Sequence, residues 1–319
     1  MIRKRILRSV LDFFSFELII NISTVTFFCK GDKMRISSTT NLYSNEKKGT
    51  AEYIKNEIAF QKEYGFDAID LDLCSVDYLA DDWQKNIEDM IEAANAQKMK
   101  FEICHLPFIQ AGAKLDDEAY EIFKTRKMRA IEAAKTVGVG YAVMHPNAPT
   151  VPQKSFDRKA QYDSVMQYLS PFAEHAAKLG VNLVVENMRV IPTFVASHRY
   201  CQTPDELCEV ADALGIGVCW DFGHANISGI KQSEGLAYVG KRLKVLHVND
   251  NFGVGDDHVP PFVGNIDWKD AMRGLADIGF EGLFNFEIAT GKIPNELRPA
   301  LAKYLIDSAR ILMSYMRSE

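Results

Sequence analysis

Two patterns alternate along this chain. Short runs that are apolar at nearly every position recur, and between them lie longer stretches in which apolar residues return every three or four positions. A run apolar throughout suits a strand covered on both faces, and the longer period suits a helix packed on a sheet. Strands are expected at 34–38, 66–73, 100–105, 141–145, 182–186, 216–221, 243–248 and 282–287. Helices are expected at 50–64, 81–97, 116–137, 155–179, 203–214, 268–278 and 294–316. Glycine follows several of them, at Gly65, Gly138 and Gly180, and Thr203-Pro204 followed by acids opens another, the usual stop and start signals. In the second strand, FDAIDLDL, Asp70 and Asp72 break the apolar run and are expected to point outward.

Strand and helix alternating without a low-complexity linker predicts an α/β protein, a single (β/α)8 TIM barrel over residues 34–319. Such barrels run to roughly 250 residues, and long loops over the mouth account for the excess better than a second domain does. Residues 1–33 begin MIRKRILR and continue as a broken apolar stretch interrupted by Asp12 and Glu17. They are read as an extension outside the barrel, or as a start assigned upstream of Met34. A signal peptide is the alternative, but no small-residue cleavage site follows.

Composition narrows the class. Hydrophobic residues make up 47% and charged residues 25% of the 319, as in an ordinary soluble domain with a large core. The net charge of −6 argues against nucleic acid as a partner, and no run is clean enough for a membrane span. Six cysteines form no CxxC pair. Cys74, Cys104 and Cys219 lie in apolar runs and are expected as buried free thiols; a reducing, cytoplasmic setting fits them. Oligomeric state is not readable.

The chemistry sits at the strand ends. The runs FEICH, YAVMH, NLVVE, GVCWD, KVLHV and LFNFE carry His105, His145, Glu186, Asp221, His247 and Glu287 at or near their C-terminal ends. That is where a (β/α)8 barrel builds its active site. Glu186, Asp221, His247 and Glu287 come from the last four strands and make an oxygen-rich set with one imidazole. Such a set suits Mn²⁺ or Mg²⁺ and admits Co²⁺, Fe²⁺ or Zn²⁺. Singly, each is more often a solvated loop residue; together, four uncompensated polar groups on buried strands are costly unless paired or metal-bound. DxxH spacing in CWDFGHANISG turns His224 back over the mouth, and GDDHVPPFVGNIDW brings Asp256 and His258 in a Gly- and Pro-rich loop.

The motifs VVENM, WDFGHAN, LHVNDN, DDHVPPFVGNIDW and FNFEI resemble those of the xylose-isomerase-like barrels, over nearly the whole chain from Met34. That family includes sugar isomerases and epimerases as well as AP endonucleases of the endonuclease IV type. The resemblance implies a metal held by Glu186, Asp221, His247 and Glu287, with His224 contacting substrate oxygens. In the DNA-repair members, positions matching His105, His145, His224, Asp256 and His258 bind further zinc ions, so here they are substrate contacts or additional ligands. The stretch NMRVIPTF after Glu186 departs from the Gly-rich run of the repair enzymes. Phe262 and Val263 stand where the sugar isomerases usually carry a second glycine or a Glu.

The reading that follows is a metal-dependent isomerase or epimerase of a small sugar or sugar phosphate. Glu186 and Glu287 would move a proton next to the carbonyl through a metal-stabilised enediolate. Arg189 or His198 would reach over from the loop. The alternatives are a metal-dependent lyase or hydrolase on a keto-sugar, a zinc-cluster AP endonuclease, and a metal-free scaffold.

Overall fold

A computed structural model describes residues 34–44, 46–110, 113–191 and 195–317; the expectation for residues 1–33 lies outside them. Among the described residues, ten strands and nine α-helices follow one another. They are β1 (Ile36–Thr39), α1 (Ala51–Tyr64), β2 (Ala68–Asp72), α2 (Trp83–Ala96), β3 (Phe101–His105), α3 (Asp117–Val137) and β4 (Tyr141–Met144). Next come β5 (Thr150–Pro152), α4 (Arg158–Leu179), β6 (Leu183–Glu186), β7 (Ser197–Arg199), α5 (Pro204–Leu214) and β8 (Gly217–Asp221). The chain finishes with α6 (Phe222–Ile227), α7 (Gln232–Val239), β9 (Leu243–His247), α8 (Trp268–Asp277), β10 (Phe284–Phe286) and α9 (Arg298–Tyr315).

Eight of the strands form one parallel sheet in the order β10-β1-β2-β3-β4-β6-β8-β9. A parallel bridge from Val248 to Phe286 joins its two ends, with the Glu287 amide donating to the Val248 carbonyl at 3.2 Å. This is the expected (β/α)8 barrel. Helix ends follow the sequence signals: Asp116 and Asp157 cap α3 and α4 through their side chains, and Gly138 and Gly180 end them at φ 76° and 71°. A residue with a Cβ pays for that left-handed geometry.

The period of two along each strand explains where the chemistry falls. Ala68, Ile103, Val143, Val184, Cys219, Val245 and Leu283 point inward and form an apolar plug inside the barrel. Two residues further along the same inward face stand Asp70, His105, His145, Glu186, Asp221, His247 and Asn285. Glu287 lies two beyond Asn285. The residues between, among them Ile69, Cys104, Met144, Val185, Trp220, Leu246 and Phe286, pack outward against the helices. Asp70 therefore does not point outward. It shares the face of Ala68, is 1% exposed, and accepts from Asn285 Nδ2 at 2.8 Å and Thr39 Oγ1 at 3.1 Å. Asp72, half exposed, caps a 3-10 turn through the Cys74 amide.

Two features had no sequence signal. The loops after β4 and β6 pair as an antiparallel ribbon, β5 with β7, in which Thr150 faces Arg199. The segment after β8 folds into two short helices, α6 and α7, rather than a loop. No helix of the described residues is long and apolar enough to cross a membrane.

Candidate metal centre

In the strand register Asp221 pairs with His247, while Glu186 pairs with Cys219, two residues before Asp221. Ligand atoms of Glu186, Asp221, His247 and Glu287 all lie within 4.8 Å of one another. His247 Nδ1 stands 3.0 Å from Glu287 Oε2 and 3.4 Å from Glu186 Oε2. Both ring nitrogens of His247 and Oε2 of Glu186 are buried without a hydrogen bond. Leaving such atoms unpartnered costs about 1–3 kcal/mol each, more where a charge is involved, so this donor set fits a divalent cation. It is mixed carboxylate and imidazole, the chemistry suited to Mn²⁺, Mg²⁺ or Co²⁺, with Zn²⁺ also accommodated.

The supports around these four are specific. Asp221 caps α6, accepting from the His224 amide at 2.7 Å through Oδ1 and from Asn249 Nδ2 at 2.7 Å through Oδ2. Asn187 clamps the same strand end from the other side, with Oδ1 accepting from the Asp221 amide and Nδ2 donating to the Asp221 carbonyl. Hydrogen bonds of this kind orient ligands and tune the metal. Asn187, Asn249 and Asn285 were given no role from sequence, although they sit in the motifs VVENM, LHVNDN and FNFEI.

The outer group also converges. His105 Nε2 and His145 Nε2 are 3.2 Å apart, and lie 3.5 Å and 3.1 Å from Glu186 Oε2. His105 Nδ1 donates to the Leu106 carbonyl, which turns Nε2 to the mouth. His224 Nδ1 donates to the Asn187 carbonyl, and its Nε2 faces Asp256 Oδ1 at 3.4 Å. His258 Nε2 meets the same oxygen at 3.2 Å, while its Nδ1 donates to the Glu287 carbonyl. His258 adopts φ 46°, strain of the sort held at functional sites. These nine residues, the four of the first group and His105, His145, His224, Asp256 and His258, thus lie in one mouth.

Charge is distributed by these neighbours. Burial opposes ionisation of Glu186, but His247, His145 and His105 outweigh it and hold its carboxyl well below the usual range. Burial also opposes ionisation of Glu287, yet His247 and His258 bring it down to about 2. For His145 burial wins, lowering it to about 4 against the pull of Glu186. His258 is disfavoured by burial but raised to about 9 by Asp256 and Glu287.

The mouth encloses a cavity of about 320 Å³ lined by this group together with Phe108, Ile109, Gln110, Met188, Arg189 and Arg199. Arg189 reaches it as expected, its Nε 2.8 Å from Asp256 Oδ2. His198 does not: its Nε2 pairs with Glu206 Oε1 at 2.8 Å, outside the cavity. The ribbon delivers Arg199 instead. Cys74 is exposed rather than buried, with Sγ turned to 3.5 Å from His105 Nδ1; Cys104 and Cys219 are buried as expected.

A barrel with these side chains at its mouth belongs to a recognisable class. A family profile described as xylose isomerase-like TIM barrel matches residues 58–311, and the chain belongs to that family. An uncharacterized protein of Methanocaldococcus jannaschii is 26% identical over 250 residues, 76% of this chain and 82% of that protein. Fructoselysine 3-epimerase of Shigella flexneri is 25% identical over 173 residues, half of this chain and 56% of the relative's length. A crystal structure of a D-tagatose 3-epimerase-like protein superposes with a TM-score of 0.66 at 21% identity, covering 89% of this chain and 100% of that one.

Proposed function

We propose that the protein is a metal-dependent isomerase or epimerase of a small ketose or ketose derivative, acting by proton transfer at the carbon beside the carbonyl. The observation that carries this reading is the cluster of Glu186, Asp221, His247 and Glu287 within 4.8 Å. Its unpartnered Glu186 and His247 atoms add to it. The names of relatives as sugar epimerases support it. Those four residues would hold a divalent ion, which would supply fixed positive charge to polarise a bound ketose.

The chain's own groups do the rest. Glu186 and Glu287 straddle His247, at 3.4 Å and 3.0 Å from its Nδ1. One carboxylate takes the proton from the carbon and the other returns one; return to the opposite face gives the epimer. His224 Nε2, with Nδ1 fixed on the Asn187 carbonyl, holds a substrate oxygen in register. The Phe108 ring stacks on His145 at 4.2 Å and keeps water from that wall.

A second reading, phosphodiester hydrolysis by a zinc cluster, draws on the additional groupings of His105, His145 and Glu186, and of Asp221, His224 and His258. Arg189 weighs against it. Its guanidinium pairs with Asp256 and places positive charge where a further cation would bind.

Metal analysis separates the two: about one Mn, Co or Mg per chain supports the isomerase, and about three Zn the nuclease. Solvent deuterium exchange into D-fructose, D-tagatose, D-psicose and L-ribulose then tests the chemistry. With the substrate that exchanges, Glu287→Gln is expected to slow exchange at least about 100-fold. Full activity with metal retained would remove Glu287 from the proton transfer.

A further inference from the structure

Arg199 is 7% exposed and lines the active-site cavity. Its Nε is spent on the Ala148 carbonyl at 2.9 Å. That bond fixes the guanidinium, and the β5–β7 ribbon fixes its backbone opposite Thr150. Among the described residues, no carboxylate lies within 4.0 Å of the Arg199 guanidinium. The other arginine of the cavity, Arg189, is taken by Asp256 and repels Arg199, a repulsion that Glu186 and Asp256 oppose from beyond ion-pair distance. A buried guanidinium without an acid partner is costly, and its planar fork matches the oxygens of a carboxylate or phosphate.

We propose that Arg199, with Arg189 beside it, receives an anionic group of the substrate, either a phosphate monoester or a carboxylate, separate from the carbonyl end that the metal-site residues address. The substrate is thereby an acidic ketose derivative rather than a free sugar. The cavity of about 320 Å³ sits at the small end of the range for ligand sites. It accommodates a sugar carrying one such group and leaves little room for a nucleotide. The role of Arg199 rests on the epimerase reading for the reaction, but not for the binding of the anion.

Three probes matched along the chain test it: D-fructose, D-fructose 6-phosphate and D-fructuronate, whose C6 carries a hydroxyl, a phosphate and a carboxylate. Solvent deuterium exchange with the metal-loaded full chain gives kcat/KM for each. One anionic probe is expected to exceed D-fructose by about 10- to 100-fold, the worth of a charge-assisted bidentate contact. Preference for the phosphate or for the uronate identifies the group. Arg199→Gln is expected to lower kcat/KM for that probe, through KM, at least about tenfold more than for D-fructose, with Arg199→Lys recovering part of the loss. Equal rates on the three probes, or equal losses on charged and neutral probes in Arg199→Gln, overturn the proposal.

Calorimetric titration with D-fructose 6-phosphate and D-fructuronate separates this from the reaction itself. If none of the probes exchanges but an anionic one binds wild type at least about tenfold tighter than Arg199→Gln, the anion site stands and the epimerase reading falls. If neither anionic probe distinguishes the two proteins, the anion site falls.

Discussion

Gly223 gives the sharpest test of how the proposed metal ligands are held. It lies in α6, directly after Asp221 and Phe222. A Cβ at this position would sit 2.1 Å from Asn249 Oδ1 and 2.8 Å from Asn251 Nδ2. Asn249 is the residue that donates to Asp221 Oδ2 at 2.7 Å. Gly223→Ala therefore drives the Asn249 amide away from the ligand. The lost hydrogen bond to a charged acceptor is worth about 1.5–3 kcal/mol, and overpacking adds about 1–3 kcal/mol. Removing an outer partner of a ligand lowers metal affinity by about 10- to 100-fold. Calorimetric titration of the metal-free protein with Mn²⁺ measures the second effect, and urea unfolding the first. Asn249→Ala supplies the control. Without the amide to displace, adding Gly223→Ala is expected to lower Mn²⁺ affinity by less than about threefold further, a coupling readable as a double-mutant cycle. Unchanged Mn²⁺ affinity in Gly223→Ala, or the same loss with and without the Asn249 amide, refutes the reasoning.

Lys127 on α3 is fully buried, 3.1 Å from Tyr168 Oη, with the rings of Tyr168 and Phe172 at 5.0 and 4.9 Å. Burial lowers its pKa from 10.5 to about 7, so the unfolded chain binds the extra proton between these values and stability rises with pH across that window. Linkage bounds the effect at about 5 kcal/mol and the ring contacts reduce it to about 2–4 kcal/mol. The unfolding free energy of Lys127→Met should exceed that of wild type at pH 6.5 and approach it at pH 10; a gap independent of pH would sink the argument. Metal removal is expected to destabilise the fold, because it leaves the Glu186 and His247 atoms bare. Mn²⁺ at about 100 times its Kd should add about 2.7 kcal/mol and raise Tm by several degrees over the EDTA-treated protein. Coincident melting curves would mean that these residues do not bind the ion.

Strand ends were legible because burial on both faces makes each strand an uninterrupted apolar run, so the first polar residue after it marks the mouth. The same property hid which way Asp70 points. In a run buried on both sides, polarity no longer reports the face; only the count of two from Ala68 does. Arg199 was illegible for a different reason. It reaches the cavity through a ribbon between two loops far apart in sequence, and a three-residue strand such as Ser197–Arg199 leaves no period to detect. His198, its neighbour, looked the better candidate by residue type. In an extended ribbon, adjacent side chains face opposite ways, and His198 turns to Glu206.

Asp256 is where the family's two chemistries part. His224 Nε2 and His258 Nε2 both converge on its Oδ1, at 3.4 Å and 3.2 Å, a geometry that would serve a cation between them. Its Oδ2 belongs to Arg189. A ligand list cannot distinguish these cases, because the residues His224, Asp256 and His258 are the same in both. The deciding residue is one outside the list, supplied by NMRVIPTF, the stretch in which this chain departs from the repair enzymes. A guanidinium there neutralises the carboxylate without a metal and, with Arg199, makes that side of the cavity receptive to an anion. On the proposed reading, the same positive charge that opposes a further cation at Asp256 favours an acidic sugar.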